Sequence, residues 1–417
     1  MTRKNTLKSL PTDTEFRVVG LDLAKSDVSV AAIPVDDNTP SLVDRMTYAD
    51  LLDWAGKISA TLFAMEPCNG YSLLCLQLEN LGHEIKVISG STVSMWINTH
   101  LSGQKTDLND AIALARLAVS DAELTPIRHK SITEIRIQTV QAVRQQLMSQ
   151  RSKSIVSFKA LAQQWGIPCA AGHRNLKKLR ESIEAKVDLI TRPVANAMLF
   201  LLDAVKSLDR QIGQLNQTLQ ELVMSDERGR LLQSVLGVGT QISARVITVV
   251  GNVERFNSPR SLVAYVGVAP RNFITGHKNL TKKKHGNCPD LSHKGQGKIS
   301  RRGDKLLRSL FIQGAACLYM QFCKDQLPEC QLKRWILKQL ASQKPYGKLI
   351  VSLAAKLIRI VWAVLTYGEK FNIQKAGMTR SMWLGPGWAD VMPVEPERCL
   401  GKLGCRTRCE AGSPSFQ

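Results

Sequence analysis

An acid stands inside the first apolar run of this chain, Phe16-Arg17-Val18-Val19-Gly20-Leu21-Asp22-Leu23. The run reads as a buried strand. A second apolar run, Val28 to Val35, follows after Ala24-Lys25-Ser26-Asp27, the spacing of a tight hairpin. A carboxylate within an apolar strand is costly unless it is paired or binds a cation. The fold must therefore bring backbone donors or a cation to Asp22, and this restricts the fold more than any surface acid can.

The rest of the N-terminal third repeats the device. Leu62-Phe63-Ala64-Met65-Glu66-Pro67 is an apolar strand ending on a carboxylate, with a proline that stops it. Tyr71 to Leu81 suits a helix closed by Gly82, and Glu84 to Ile88 suits a short strand. Thr92 to Leu101 suits a helix. Lys105-Thr106-Asp107-Leu108-Asn109-Asp110-Ala111 then opens another, running through Leu117. A hairpin followed by strand–helix alternation predicts a mixed sheet flanked by helices.

Asp107 and Asp110 are three apart and share one helix face. Acids in a first helical turn are favourable against the helix dipole, which is one reading of the pair. The other is half of a divalent-metal site, completed by Asp22 and Glu66. Oxygen-only ligands suit Mg²⁺ or Mn²⁺ rather than Zn²⁺. Such a set can hold two ions about 3.5–4 Å apart for phosphoryl transfer. His83 and His100 lie near this region and read as core or surface residues.

Charge divides the chain. Its net charge is +21, yet residues 1–125 carry 10 Lys/Arg against 16 Asp/Glu. The basic remainder is suited to a polyanion, and an acidic head to metal or catalysis. The start of the chain shows no apolar signal segment, and the ten cysteines form no dense framework, so reduced thiols and a cytoplasmic protein are expected. The apolar segment Leu349 to Leu365 contains Lys356 and Arg359 and reads as a buried helix, so no membrane partner is expected.

Leu201, Leu208, Leu215 and Leu222 recur every seven residues, with Val205, Ile212 and Leu219 between them. These alternating steps define a coiled-coil seam. It predicts a helical arm that supports a homo-oligomer, a dimer or tetramer; antiparallel packing against a helix over 132–161 is the alternative. Leu232 to Ala244 has the pattern of a helix-hairpin-helix, whose Gly237-Val238-Gly239 turn can present backbone N–H groups to a DNA phosphate. From Arg271 to Arg308 there are eleven Lys/Arg and two acids. Arg271, Lys298, Arg301, Arg302 and Arg308 are the candidate phosphate contacts there. His277, His285, Cys288 and His293 crowd this loop without a second tight ligand pair, and read as part of a basic loop rather than a Zn²⁺ site.

Gly20-Leu21-Asp22, Met65-Glu66-Pro67 and the Lys105–Ala111 stretch together resemble the D-E-D-D motif of an insertion-sequence transposase family that includes the Piv-type pilin-gene invertases. Ser258 to Arg271, Gly297 to Asp304 and Leu353 to Leu357 resemble its C-terminal transposase domain. The resemblance implies an RNase H-like (RuvC-like) domain over 16–125 with Asp22, Glu66, Asp107 and Asp110 as metal-binding acids. It further implies a helical linker with a coiled coil over 126–225 and a mainly helical C-terminal domain over 226–375. A poorly ordered tail is expected over 376–417.

In that family a serine before a glycine is the hydroxyl nucleophile. Here the chain departs, with Phe273-Ile274-Thr275-Gly276 at that place. Thr275 ranks first and Ser292 second as the attacking hydroxyl, although a threonine methyl crowds in-line attack. The implied activity is metal-dependent cleavage and exchange of DNA strands at element ends and target, with a structured guide RNA as a further implied partner. A site-specific DNA invertase and a catalytically degenerate nucleic-acid-binding protein are the alternatives.

Overall fold

The structure is a computed structural model that describes residues 11–37, 39–100, 106–120, 127–167, 176–272 and 296–372. The chain divides into two compact units, residues 1–135 and 136–417.

The first unit is built on a five-stranded sheet. Its strands are β1 (Phe16–Leu23), β2 (Asp27–Pro34), β3 (Leu42–Thr47), β4 (Leu62–Met65) and β5 (Glu84–Val87). Their order is β3-β2-β1-β4-β5. β1, β2 and β3 are antiparallel neighbours, whereas β4 pairs parallel with both β1 and β5. The expected hairpin and mixed sheet are present. Four helices serve the sheet: α1 (Tyr48–Ala55), α2 (Tyr71–Asn80), α3 (Gly90–His100) and α4 (Asp107–Val119).

Side-chain alternation along the strands sends apolar residues to both faces. Phe16, Val19, Leu21, Phe63 and Met65 pack with Leu51 and Trp54 of α1 and Leu74 and Leu78 of α2. Val18, Ile33 and Ala64 pack on the other face with Val93 and Ile97 of α3 and Leu114 and Ala115 of α4. A two-sided sheet of this kind explains why β1 reads as a continuous apolar run rather than an alternating one.

The second unit is helical apart from a small antiparallel pair, β6 (Pro270–Asn272) with β7 (Gln296–Ile299). The long helices α5 (Ile132–Gln164) and α8 (Arg192–Ser225) run antiparallel, since Arg144 Nε donates to Asn216 Oδ1 at 2.5 Å and Arg151 pairs with Asp209. Val205, Ile212 and Leu219 are buried within the chain, while Leu201, Leu208, Leu215 and Leu222 are only partly covered. One row of the heptad is thus buried within the chain, on a helix that runs antiparallel to α5. The short helices α6 (Leu176–Glu184) and α7 (Val187–Ile190) close a core at the far end of this arm, around Phe158, Ile183 and Met198.

The larger core lies among α9 (Glu227–Gln233), α10 (Thr240–Val249), α11 (Pro259–Val266), α12 (Lys305–Cys323), α13 (Gln331–Ala341) and α14 (Tyr346–Tyr367). Leu353, Leu357, Ile358 and Val361 of α14 are fully buried in it. α12 and α14 are long and apolar enough to cross a membrane by length and composition. Here both supply the centre of this core, as expected for the 349–365 segment. The expected tail lies outside the described residues, which end at Asn372.

Candidate active site

The first unit brings its carboxylates to one end of the sheet, and Gly20 is the reason α4 can come so close. A Cβ on Gly20 would stand 2.1 Å from the Ala111 carbonyl oxygen and 2.6 Å from the Ala115 nitrogen. The helix backbone therefore lies directly on β1. Asp22, two residues further along the strand, points to that same face. Asp107 and Asp110 occupy the turn of α4 just before Ala111. The helix starts where expected, with Thr106 as N-cap accepting a hydrogen bond from Asn109 N at 3.2 Å.

Glu66 arrives from β4. Gly20 and Leu21 pair in register with Ala64 and Met65, so Asp22 and Glu66 fall on the next rung at the carboxyl ends of two parallel neighbours. The Glu66 carboxylate lies over the start of α3, with Oε2 only 2.9 Å from where a Cβ on Gly90 would be. Helix dipole and backbone amides favour a negative charge at that place. Asp110 is buried at 8% exposure, Asp22 and Glu66 are half-buried, and Asp107 is exposed. Asp22 is less deeply buried than an acid inside an apolar run suggests, because β1 emerges from the core at its end.

Two further side chains register the charge of these acids. The Cys68 thiol is pushed up by burial and then by the nearby charges of Asp22 and Glu66. The Tyr48 hydroxyl is pushed up by burial, then by Cys68, Asp27 and Asp22, and it donates to the Ala24 carbonyl at 2.7 Å. Neither residue stands out in the sequence.

The four acids are all hard oxygen donors, the chemistry that Mg²⁺ or Mn²⁺ takes. Their side chains are not yet gathered: among the described residues no three His, Cys, Asp or Glu side chains are close enough to hold one. Asp107 is instead turned to Arg45 of β3, whose Nη2 lies 3.2 Å from its Oδ2. His83 takes no part. Its Nδ1 accepts from Thr61 N at 3.2 Å, so Nε2 carries the proton and donates to the Ala55 carbonyl at 2.9 Å. His100 stacks on Trp96 at the far end of α3.

In the second unit, residues 300–304 of the predicted cationic segment form a turn against α11, while its residues 273–295 lie outside the described residues. Gly267, at φ +81°, ends α11, and a Cβ there would stand 1.9 Å from the Arg302 carbonyl oxygen. Arg301 N donates to the Gly267 carbonyl at 3.1 Å. Arg308 donates to the Val266 and Arg302 carbonyls, and Arg271 donates to the Ser300 carbonyl at 3.1 Å. These two arginines therefore brace the turn, while Lys298, Arg301 and Arg302 are exposed around it. Of the helix-hairpin-helix turn, Gly237 packs against α12, its carbonyl 2.4 Å from where a Cβ on Gly314 would be. Gly239 stands in the open before α10, where a Cβ would meet nothing within 4 Å. Thr275 and Ser292, with His277, His285, Cys288 and His293, lie outside the described residues, as does Lys105.

A transposase family model matches residues 19–166, and the model of the IS116/IS110/IS902 transposase family matches residues 229–288. The first span holds all four acids; the second starts within α9. The chain is similar to these transposase families over both spans. Among similar proteins, a probable family 20 transposase of Pseudomonas aeruginosa is 27% identical over 84% of this chain and 96% of its own length. The transposase for insertion sequence element IS1111A of Coxiella burnetii is 25% identical over 86% of this chain and 92% of its own. A pilin gene-inverting protein of Moraxella lacunata is 23% identical over 85% and 97%. The family likeness thus runs through both units.

Proposed function

We infer that this chain is a DNA transposase that cuts and transfers DNA strands, with its carboxylate centre at the end of β1 and β4. One observation carries the placement of that centre: Gly20 seats α4 on β1 so that Asp22, Glu66, Asp107 and Asp110 stand at one end of one sheet. The strand order, three antiparallel strands followed by two parallel ones, supports an RNase H-like reading of the first unit.

In this reading Asp22, Glu66, Asp107 and Asp110 hold Mg²⁺ or Mn²⁺. A bound divalent ion supplies Lewis acidity at a phosphoryl oxygen and lowers the pKa of an attacking hydroxyl. The protein's own part is to fix the acids on rigid elements and to hold the phosphate backbone. Lys298, Arg301 and Arg302 do the latter from a braced turn, where fixed cations stabilise a phosphate without reorganising. Thr275 is the proposed nucleophile, with Ser292 second. Its oxygen bonds to phosphorus as the deoxyribose oxygen leaves, conserving the phosphodiester for rejoining. The half-covered leucines of α8 offer a seam for an oligomer. The basic second unit suits DNA and a guide RNA alike. The site of action is the cytoplasm, on the nucleoid.

An excision assay with Mg²⁺ tests this reading. Asp22→Asn and Asp110→Asn are expected to lose excision by about 10³-fold or more with DNA binding retained. Full activity in Asp110→Asn refutes the carboxylate centre; full activity in Thr275→Ala refutes only the nucleophile. The pilin gene-inverting relatives favour a second outcome for the same chemistry, inversion. Supplying substrates with element ends and substrates with an invertible segment separates the two.

A further inference from the structure

Among the described residues the acids are not gathered by side chain, and one of them, Asp107, is held in an ion pair by Arg45. Arg45 sits on β3 opposite Ser29 of β2, which in turn sits opposite Asp22 of β1. Directly opposed residues share a sheet face, so Arg45 points to the face that α4 covers. Its Nε lies 2.9 Å from Asp27 Oδ2, and its Nη2 lies 3.2 Å from Asp107 Oδ2. One guanidinium thereby ties the start of β2 to the first turn of α4.

We propose that Arg45 is a positioning residue that holds Asp107 while no divalent ion is bound and gives Asp107 up to the ion. This rests on the carboxylate reading above. Arg45 and Asp107 are both about half exposed, at 51% and 58%, so their pair is weak and exchangeable. A dication held by neighbouring carboxylates offers Asp107 a stronger partner than a solvated guanidinium does. The bond to Asp27 keeps Arg45 at the rim after the exchange. Arg45 thus sets the ion concentration at which the fourth acid joins the site.

Mn²⁺ titration of the intact chain, followed by the loss of the free-ion paramagnetic resonance signal, tests this directly. R45Q is expected to bind Mn²⁺ about threefold tighter or more, because the competing cation is gone. R45K, which remakes an ion pair, is expected to stay near wild type. In the Asp107→Asn background the R45Q gain is expected to disappear. A residue that merely supported the fold would give the opposite sign, with weaker binding and a lower Tm in R45Q. Unchanged or weaker binding in R45Q overturns the proposal, as does an equal gain without Asp107. R45M provides a second neutral variant should R45Q not fold. If Asp22→Asn and Asp110→Asn bind Mn²⁺ like wild type, the carboxylate centre itself is wrong, a different failure from that of Arg45.

Discussion

Asp304 shows how this chain keeps a half-buried carboxylate charged without an ion. It caps α12, accepting from Leu307 N at 2.6 Å, and takes both ends of the Arg245 guanidinium, at 3.1 and 2.5 Å. Burial works to raise its carboxyl, but the Arg245 hydrogen bonds and the α12 amides outweigh it and hold it below the ordinary carboxylate value. The stabilisation is therefore complete above the unfolded-chain value of about 3.9 and is lost as pH falls through the lower folded value. Asp304→Asn is expected to cost about 2–3 kcal/mol at pH 7, from a weakened cap and the loss of charge-assisted bonds. Urea unfolding at pH 7 and pH 3 checks this: the gap to wild type should shrink at the lower pH. A constant gap would mean that Asn loses packing rather than charge. The same residue is the last of the Gly297–Asp304 motif, where the sequence draws attention to its cations and conceals that its acid holds the turn.

Between elements, the decisive contact is α4 on β1. Gly20→Ala places a methyl against helix backbone, which cannot rotate away as a side chain could. The expected cost is about 3 kcal/mol, at the upper end of overpacking, together with weakened Mn²⁺ binding as the α4 acids move off Asp22. Thermal unfolding and the same Mn²⁺ titration measure the two effects; a stable variant with unaltered binding would show that α4 seats itself without this glycine. Most of this unit is legible in the sequence because β1, β2, β4 and the helices over them carry apolar runs with clear stops. β3 and α1 are not. Five of the six β3 residues are exposed or half-buried, so the strand has no apolar signature, and Arg45 is hidden with it. The seam of α8 is readable as a period, yet a period names a face and not its partner. Polar pairs such as Arg144 with Asn216 decide the partner, and they leave no repeat to find.

Over the whole molecule, charge is sorted by unit. Residues 1–125 are acidic, and the rest carries 46 Lys/Arg against 19 Asp/Glu. This distribution is expected to draw nucleic acid to the helical unit and to leave the carboxylates repelling it until a cation intervenes. The proposed phosphate-holding role of the braced turn has a quantitative signature. Each phosphate neutralised on duplex DNA contributes a salt slope of about −0.9 through counterion release. Lys298, Arg301 and Arg302 replaced together by Gln should flatten the log–log dependence of DNA affinity on salt by about 2.7 if all three meet phosphates. Arg271 and Arg308 donate to carbonyls of the same turn, so Arg308→Gln should lower stability and shift the slope by less than a single exposed contact does. Fluorescence anisotropy across a salt series separates the two kinds of arginine. An unchanged slope in the triple variant would move the phosphate path away from this turn, leaving the open amide edge at Gly239 as the next place on the helical unit to test.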